Sequence, residues 1–124
     1  MIFAPMDLTD IVISFDFDDT LSLPSVQEVA RVLISEGYSV VIVTSRKELS
    51  NNSDVYEIAK ELDISNVTFT NHEKKCYYLS TSNVDVHIDN DKIELVAIQR
   101  FSNVAIVDVT SSEWELMLNQ LLDR

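Results

Sequence analysis

Three short stretches of this chain place carboxylates and hydroxyls directly behind apolar runs: Asp16-Phe17-Asp18-Asp19-Thr20, Thr44-Ser45-Arg46 and Asp89-Asn90-Asp91. Asp16 and Asp18 stand two apart at the end of an extended segment, where side chains begin to share a face. Asp89 would add a third carboxylate to the same small volume. Three such groups cannot all stay ionised at close range without a cation, because like charges raise one another's pKa. The donors are oxygens, with no cysteine or spare histidine among them, so the cation that fits is a hard one, and Mg2+ is the natural candidate. The hydroxyl of Thr44 and a lysine would then hold an anion beside the metal. A carboxylate, a metal, an ammonium and hydroxyl donors together suit phosphoryl transfer through an aspartyl-phosphate.

Such a site needs a frame that brings distant segments to one edge. Short apolar runs, Ile11-Val12-Ile13-Ser14-Phe15, Val40-Val41-Ile42-Val43, Val67-Thr68-Phe69, Val84 to Ile88 and Val104-Ala105-Ile106-Val107, alternate with helical patterns. This alternation is the α/β signature, and β-branched runs suit strands covered on both faces. Val84-Asp85-Val86-His87-Ile88 alternates more than the rest, which predicts one less fully buried face. Val26-Val29-Ala30-Leu33, Val55-Ile58-Ala59-Leu62 and Trp114-Met117-Leu118-Leu121 each follow the spacing of a buried helical stripe. Pro24 suits the first turn of its helix, Gly37 suits its end with a positive φ, and Ser112 with Glu115 resembles a capping box. Residues 73–81 and 91–99 are shorter helical segments. The expectation is a single domain over residues 1–124, a three-layer α/β/α sandwich around a Rossmann-like, five-stranded parallel sheet. Right-handed crossovers put the C-terminal ends of parallel strands on one edge, and ligands bind there where the strand order reverses.

Composition narrows the field. The 124 residues include 21 acidic and 9 basic side chains, 46% hydrophobic and 24% charged residues, an ordinary balance for a globular protein. A chain of this size buries roughly two-thirds of its unfolded surface. One glycine excludes the phosphate loop and the glycine-rich dinucleotide fingerprint, which need several. One cysteine and two histidines exclude an internal disulfide and a structural zinc site. The formal charge of −12 opposes a nucleic-acid polymer, whose binding rests on neutralised phosphates. Met1 to Asp10 has no basic start and carries Asp7 and Asp10, unlike a secretory signal. No apolar run approaches the ~20 residues of a membrane helix. A cytoplasmic address and no membrane partner are therefore expected.

The run Ile13-Ser14-Phe15-Asp16-Phe17-Asp18-Asp19-Thr20-Leu21 resembles the first motif of the haloacid dehalogenase superfamily, an apolar strand followed by Asp-x-Asp-x-Thr. Val41-Ile42-Val43-Thr44 resembles the second, an apolar strand ending in Ser or Thr. Lys74 or Lys75 matches the third, a lysine opening a helix, and Val86-His87-Ile88-Asp89-Asn90-Asp91 the fourth, an acidic cluster after a later strand. The four stand in the family's order from about residue 11 to 91. This resemblance implies a Mg2+-dependent phosphatase. Asp16 would attack phosphorus. Asp18 would protonate the leaving oxygen and then activate water. Thr44 and the lysine would bind phosphoryl oxygens. Mg2+ would be held by Asp16, the backbone carbonyl of Asp18, and Asp89. An acid at the position of Asp18 marks the phosphatase-like branch, since the dehalogenases lack it.

Lys75 is preferred over Lys74, because a helix from Glu73 sets Lys75 and Leu79 four apart, with Leu79 packed inward. Asn90 departs from the family, where two adjacent acids are commoner; an amide orients a ligand without adding charge, and Asp91 either compensates or caps the next helix. Family members often carry a cap domain. Here Leu21 to Ser39 holds one helix, and Ser45 to Lys74 holds one helix and one strand, which predicts an uncapped, open site. Substrates consistent with it are a small phosphorylated molecule or a phosphoprotein.

Other polar residues have plainer readings. Asp19 stabilises a turn, Arg46 meets either a substrate phosphate or a surface carboxylate, His87 is a hydrogen-bonded strand residue, and His72 and Cys76 are structural. Asp108 caps a helix, and the Trp114 stripe is core or a dimer face. A catalytically weak member, retained for binding or regulation, is the competing function. A phospho-receiver domain would need an Asp after the third strand and a Lys after the fifth; Thr70-Asn71 and Asp108-Val109 stand there instead.

Overall fold

A computed structural model describes residues 10–123; the reading of the first residues as lacking a leader lies outside them. Five parallel strands, β1 (Val12–Phe15), β2 (Ser39–Thr44), β3 (Val67–Phe69), β4 (Val86–Asp89) and β5 (Ala105–Asp108), form one sheet in the order β3-β2-β1-β4-β5. They alternate with α1 (Pro24–Ser35), α2 (Ser53–Leu62), α3 (Lys75–Leu79), α4 (Lys92–Phe101) and α5 (Trp114–Leu121).

The strand period of two sorts side chains onto two faces. Ile13, Phe15, Val40, Ile42, Val86, Ile88 and Val107 pack with α1, α2 and α5 through Val26, Ala30, Leu33, Val55, Ala59, Leu62 and Leu118. Val12, Val43 and their neighbours Val41 and Ile106 pack on the other face with Cys76 and Leu79 of α3 and Ile98 of α4. These are the three layers expected. Pro24 opens α1 and Gly37 follows it at φ 101°, a left-handed conformation that costs a glycine little. Between β1 and β2 lies α1, and between β2 and α3 lie α2 and β3, so neither interval carries a cap domain.

Four expectations need correction. All four residues of β4 are buried, His87 satisfying its ring nitrogens internally, and of the alternating polar pair only Asp85, just before the strand, is exposed. Ser112 and Glu115 form no capping box, since α5 starts at Trp114 behind Glu113 and has no side-chain cap. Asp108 caps no helix; it accepts the Thr110 N–H at 2.9 Å and meets Lys92 Nζ at 3.0 Å, closing a turn. In the α5 stripe only Leu118 is fully buried, while Met117 and Leu121 are exposed, because α5 packs at the sheet edge beside β5.

Candidate active site

The strand order reverses between β1 and β4, whose C-terminal ends lie side by side. Phe15 pairs with Ile88, and the Asp16 N–H donates to the Ile88 carbonyl at 2.9 Å. Asp16 and Asp89 are thereby neighbours across the switch point, where a ligand cleft is expected. A cleft of about 380 Å3 opens there, lined by Asp16, Asp18, Lys75, Asp89 and Asn90 among others.

At its floor lies Lys75. This residue opens α3 with 2% exposure, and its backbone N–H donates to Glu94 Oε2 of α4 at 3.1 Å. The preceding loop is stitched to the end of β2 by the Asn71 N–H on the Arg46 carbonyl and the His72 N–H on the Ser45 carbonyl. Lys75 Nζ donates to Asp16 Oδ1 at 2.7 Å and to Asp89 Oδ2 at 2.6 Å. Lys74 is exposed one residue before the helix, at the rim.

Two buried carboxylates share this one ammonium, and their surroundings push them apart. Burial raises Asp16, with Asp89 adding to the effect and Lys75 opposing it, to about 6. Burial would raise Asp89 too, but the hydrogen bond from His87 and the charge of Lys75 outweigh it and hold Asp89 down at about 2. Lys75 loses from burial and gains more from Asp89 and Asp16, so it stays above the ordinary lysine value. At neutral pH the site holds an ammonium between two carboxylates, of which Asp16 faces the cleft.

Three converging carboxylates do not form: among the described residues no three Asp, Glu, His or Cys side chains are grouped to hold a metal ion. Asp18 leaves the group because the chain turns sharply there, with Asp19 at φ 57° and its N–H on Ser22 Oγ. The Asp18 carboxylate faces outward, 54% exposed, and Arg46 donates to both its oxygens, at 2.7 and 3.0 Å. The other edge of the guanidinium takes both oxygens of Asp54, and the group lies 5.1 Å from the centre of the Phe17 ring. Of the two readings of Arg46, the carboxylate pair is the one present. Both oxygens of Asp89 are engaged within the chain. Its Oδ1 accepts the N–H groups of Asn90 and Asp91, and its Oδ2 is taken by Lys75 and His87.

Oxygen donors nevertheless meet at another point. One end of the Asn90 amide lies 2.9 Å from Asp16 Oδ2 and 3.2 Å from the Asp18 carbonyl oxygen. That end is the amide nitrogen, which donates to both. Asp16 Oδ2 and the Asp18 carbonyl are oxygens of the kind a hard cation takes, and the Asn90 amide would join them with its oxygen turned inward. Asp91 caps α4, its Oδ1 accepting from the N–H groups of Ile93 and Glu94.

Thr44 ends β2 fully buried, with its hydroxyl accepting the Arg46 N–H at 3.3 Å; the cleft wall at that place is Ser45. Thr20, the last member of the first motif, turns its hydroxyl toward Asp16 Oδ2 and Asn90 at 3.3 Å each. A second cleft of about 510 Å3 shares Asp18, Ser45 and His72 with the first, and its other walls include Arg46, Lys47 and Asn52. Sequence reading had no role for Ser45, and it gave His72 only a structural one. Their position just past the ends of β2 and β3 was the available signal.

No family model matches the chain, and no curated protein matches it. A crystal structure of an uncharacterized protein from Corynebacterium glutamicum is similar in fold, with a TM-score of 0.71 at 11% identity, covering 90% of this chain and 94% of that one. The α/β architecture is thus a fold seen in an experimental structure. Among the described residues no helix is long and apolar enough to cross a membrane.

Proposed function

We propose that this chain is a Mg2+-dependent phosphatase that hydrolyses a phosphomonoester through an aspartyl-phosphate on Asp16. The observation that carries the reading is the buried Lys75 ammonium held between Asp16 and Asp89 beneath an open cleft at the switch point. Asp16 is oriented by Lys75, Thr20 and Asn90 and attacks phosphorus as its carboxylate. The ester P–O bond breaks, and the leaving oxygen takes a proton from Asp18. Water then attacks the phosphoryl group and gives its proton to the Asp18 carboxylate, and the Asp16–phosphorus bond breaks to release inorganic phosphate. For either step Asp18 must turn from Arg46, which Asp54 and the Phe17 ring would continue to hold. Asp16, the Asp18 carbonyl and Asn90, its amide oxygen turned inward, would hold Mg2+, whose charge would offset that of the phosphoryl oxygens. Lys75 and Ser45 supply the protein's own donors. The formal charge of −12 favours a small phosphorylated molecule or a phosphoprotein over a polynucleotide, and the lone buried thiol of Cys76 suits a reducing cytoplasm.

The test is hydrolysis of p-nitrophenyl phosphate with Mg2+ and after chelation. Turnover that EDTA abolishes is the expected result. Turnover that persists in EDTA would remove the metal from the reading. A second reading, a weak member retained for binding, is favoured by the pair that holds Asp18 away from Asp16. It predicts that beryllofluoride binds with Mg2+ although no ester turns over.

Protonation supplies a further check. Attack needs the ionised Asp16 carboxylate, whose pKa stands near 6 in the metal-free chain. Below about pH 6, kcat/KM is expected to fall about tenfold per unit at limiting Mg2+. The limb should move to lower pH as Mg2+ rises, because proton and cation compete for one carboxylate. A limb indifferent to Mg2+ would separate Asp16 from the metal.

A further inference from the structure

Behind the cleft a continuous chain of buried polar groups runs through the sheet. Ser14 and His87 are register partners on β1 and β4. Both lie two residues before the site carboxylates, on the strand face that carries them. Ser14 Oγ is 2.6 Å from His87 Nδ1, and His87 Nε2 is 2.7 Å from Asp89 Oδ2. Lys75 Nζ continues the chain at 2.6 Å to Asp89 and 2.7 Å to Asp16. All five residues are at most 5% exposed.

Bonding rules give this chain one direction. An ionised Asp89 only accepts, so His87 Nε2 carries a hydrogen. The ring is fully buried, with a neutral hydroxyl and no carboxylate at its Nδ1, so it stays neutral. Nδ1 is then an acceptor, and the Ser14 hydroxyl donates to it. Asp89 Oδ2 consequently receives two donors, the imidazole N–H and the Lys75 ammonium. With the imidazole removed, the whole demand of that oxygen would fall on Lys75, whose other partner is Asp16.

We propose that His87 is a positioning residue for Lys75: fixed as the Nε2–H tautomer by Ser14, it holds Asp89 so that the ammonium stays against Asp16. The inference rests on the function proposed above. It extends that reading to two residues that touch neither substrate nor metal, and it states why a serine and a histidine occupy buried strand positions among valines and isoleucines.

Three variants test it, His87→Phe, His87→Gln and Ser14→Ala, with p-nitrophenyl phosphate as substrate. His87→Phe keeps an aromatic ring and removes the donor. Its kcat is expected to fall about 10–100-fold, as when a group behind a directly acting residue is lost, with KM within about twofold. His87→Gln returns an N–H toward Asp89 and should recover part of that loss. Phe turning over like the wild type, or Gln no better than a folded Phe variant, would overturn the proposal. Should the Phe variant not fold, the expected kcat loss must appear in Ser14→Ala instead, and a wild-type kcat there would count against the idea. Independently of turnover, 15N spectra of the His87 ring should show Nε2 protonated and Nδ1 bare in the wild type, becoming a tautomer mixture in Ser14→Ala. A protonated Nδ1 in the wild type would overturn the proposal. If the wild type proves inactive, the phosphatase reading is what fails, and the ring spectra still decide the direction of the chain.

Discussion

Asp16→Asn is expected to lower turnover by at least about a thousandfold while leaving the fold intact. The amide keeps the shape of the carboxylate, and its oxygen can still accept from Lys75 Nζ, 2.7 Å from Asp16 Oδ1. It cannot attack phosphorus. The substitution also removes a buried charge whose ionisation the surroundings oppose, so stability at pH 7 should be equal or higher. The sign of the pH effect follows from the raised value near 6. Between about pH 6 and pH 4 the folded wild type binds a proton that the unfolded chain has lost. Wild-type stability should therefore rise relative to Asp16→Asn as pH falls through 6, an effect visible in paired thermal unfolding curves. Mass spectrometry of acid-quenched reactions should find phosphate on Asp16 in the wild type and none in the variant. An Asn variant that retains a few per cent of turnover would show that another residue is the nucleophile.

Lys75→Met should damage both stability and activity. Two carboxylates, at 5% and 0% exposure, would be left in one buried space without their shared ammonium. Breaking a buried ion pair by removing one partner costs about 3–5 kcal/mol. In a domain of this size that is a fall of about 10 °C or more in Tm. The loss should shrink in acid, because protonation neutralises the stranded carboxylates in the folded state. Lys74→Met is the contrast: this side chain is exposed at the helix start, and its loss should stay within about 0.5 kcal/mol. A Lys75 variant as stable as the Lys74 one would mean that the buried pair contributes nothing net.

Strands were legible in the sequence as β-branched runs, those of β1 and β4 being buried on both faces. The site's general position was legible because polar residues clustered where those runs stopped. Phe15 and Ile88 are register partners, so the expectation that Asp16 and Asp89 would meet rested on the sheet alone. Side-chain directions were not legible. Asp18 shares the two-residue spacing of a strand with Asp16, but the chain has already turned at Asp19, and Arg46, itself held by Asp54, supplies a competing partner. Thr44 ends its strand as expected, yet the next residue, Ser45, reaches the cleft wall. The relation of Asn90 to Asp16 and the Asp18 carbonyl depends on the loop after β1 folding back over the end of β4, which no local pattern encodes. At the chain's end, Ser112 and Glu115 had the right spacing for a cap, but Ser111 takes the Glu113 N–H instead and shifts the helix start.

The ammonium buried between Asp16 and Asp89 also decides what a metal ion can be to this molecule. In many carboxylate clusters the ion cancels repulsion that would otherwise open the structure, and the protein is assembled around it. Here the chain brings its own counter-charge to the deepest carboxylates, and the Asn90 amide can fill the outer position with hydrogen bonds. On the function proposed above, an ion entering the cleft would be a reagent and not a strut. It would come and go with the surrounding concentration while the scaffold stays closed, so that readiness for chemistry and integrity of the fold would be separately controlled.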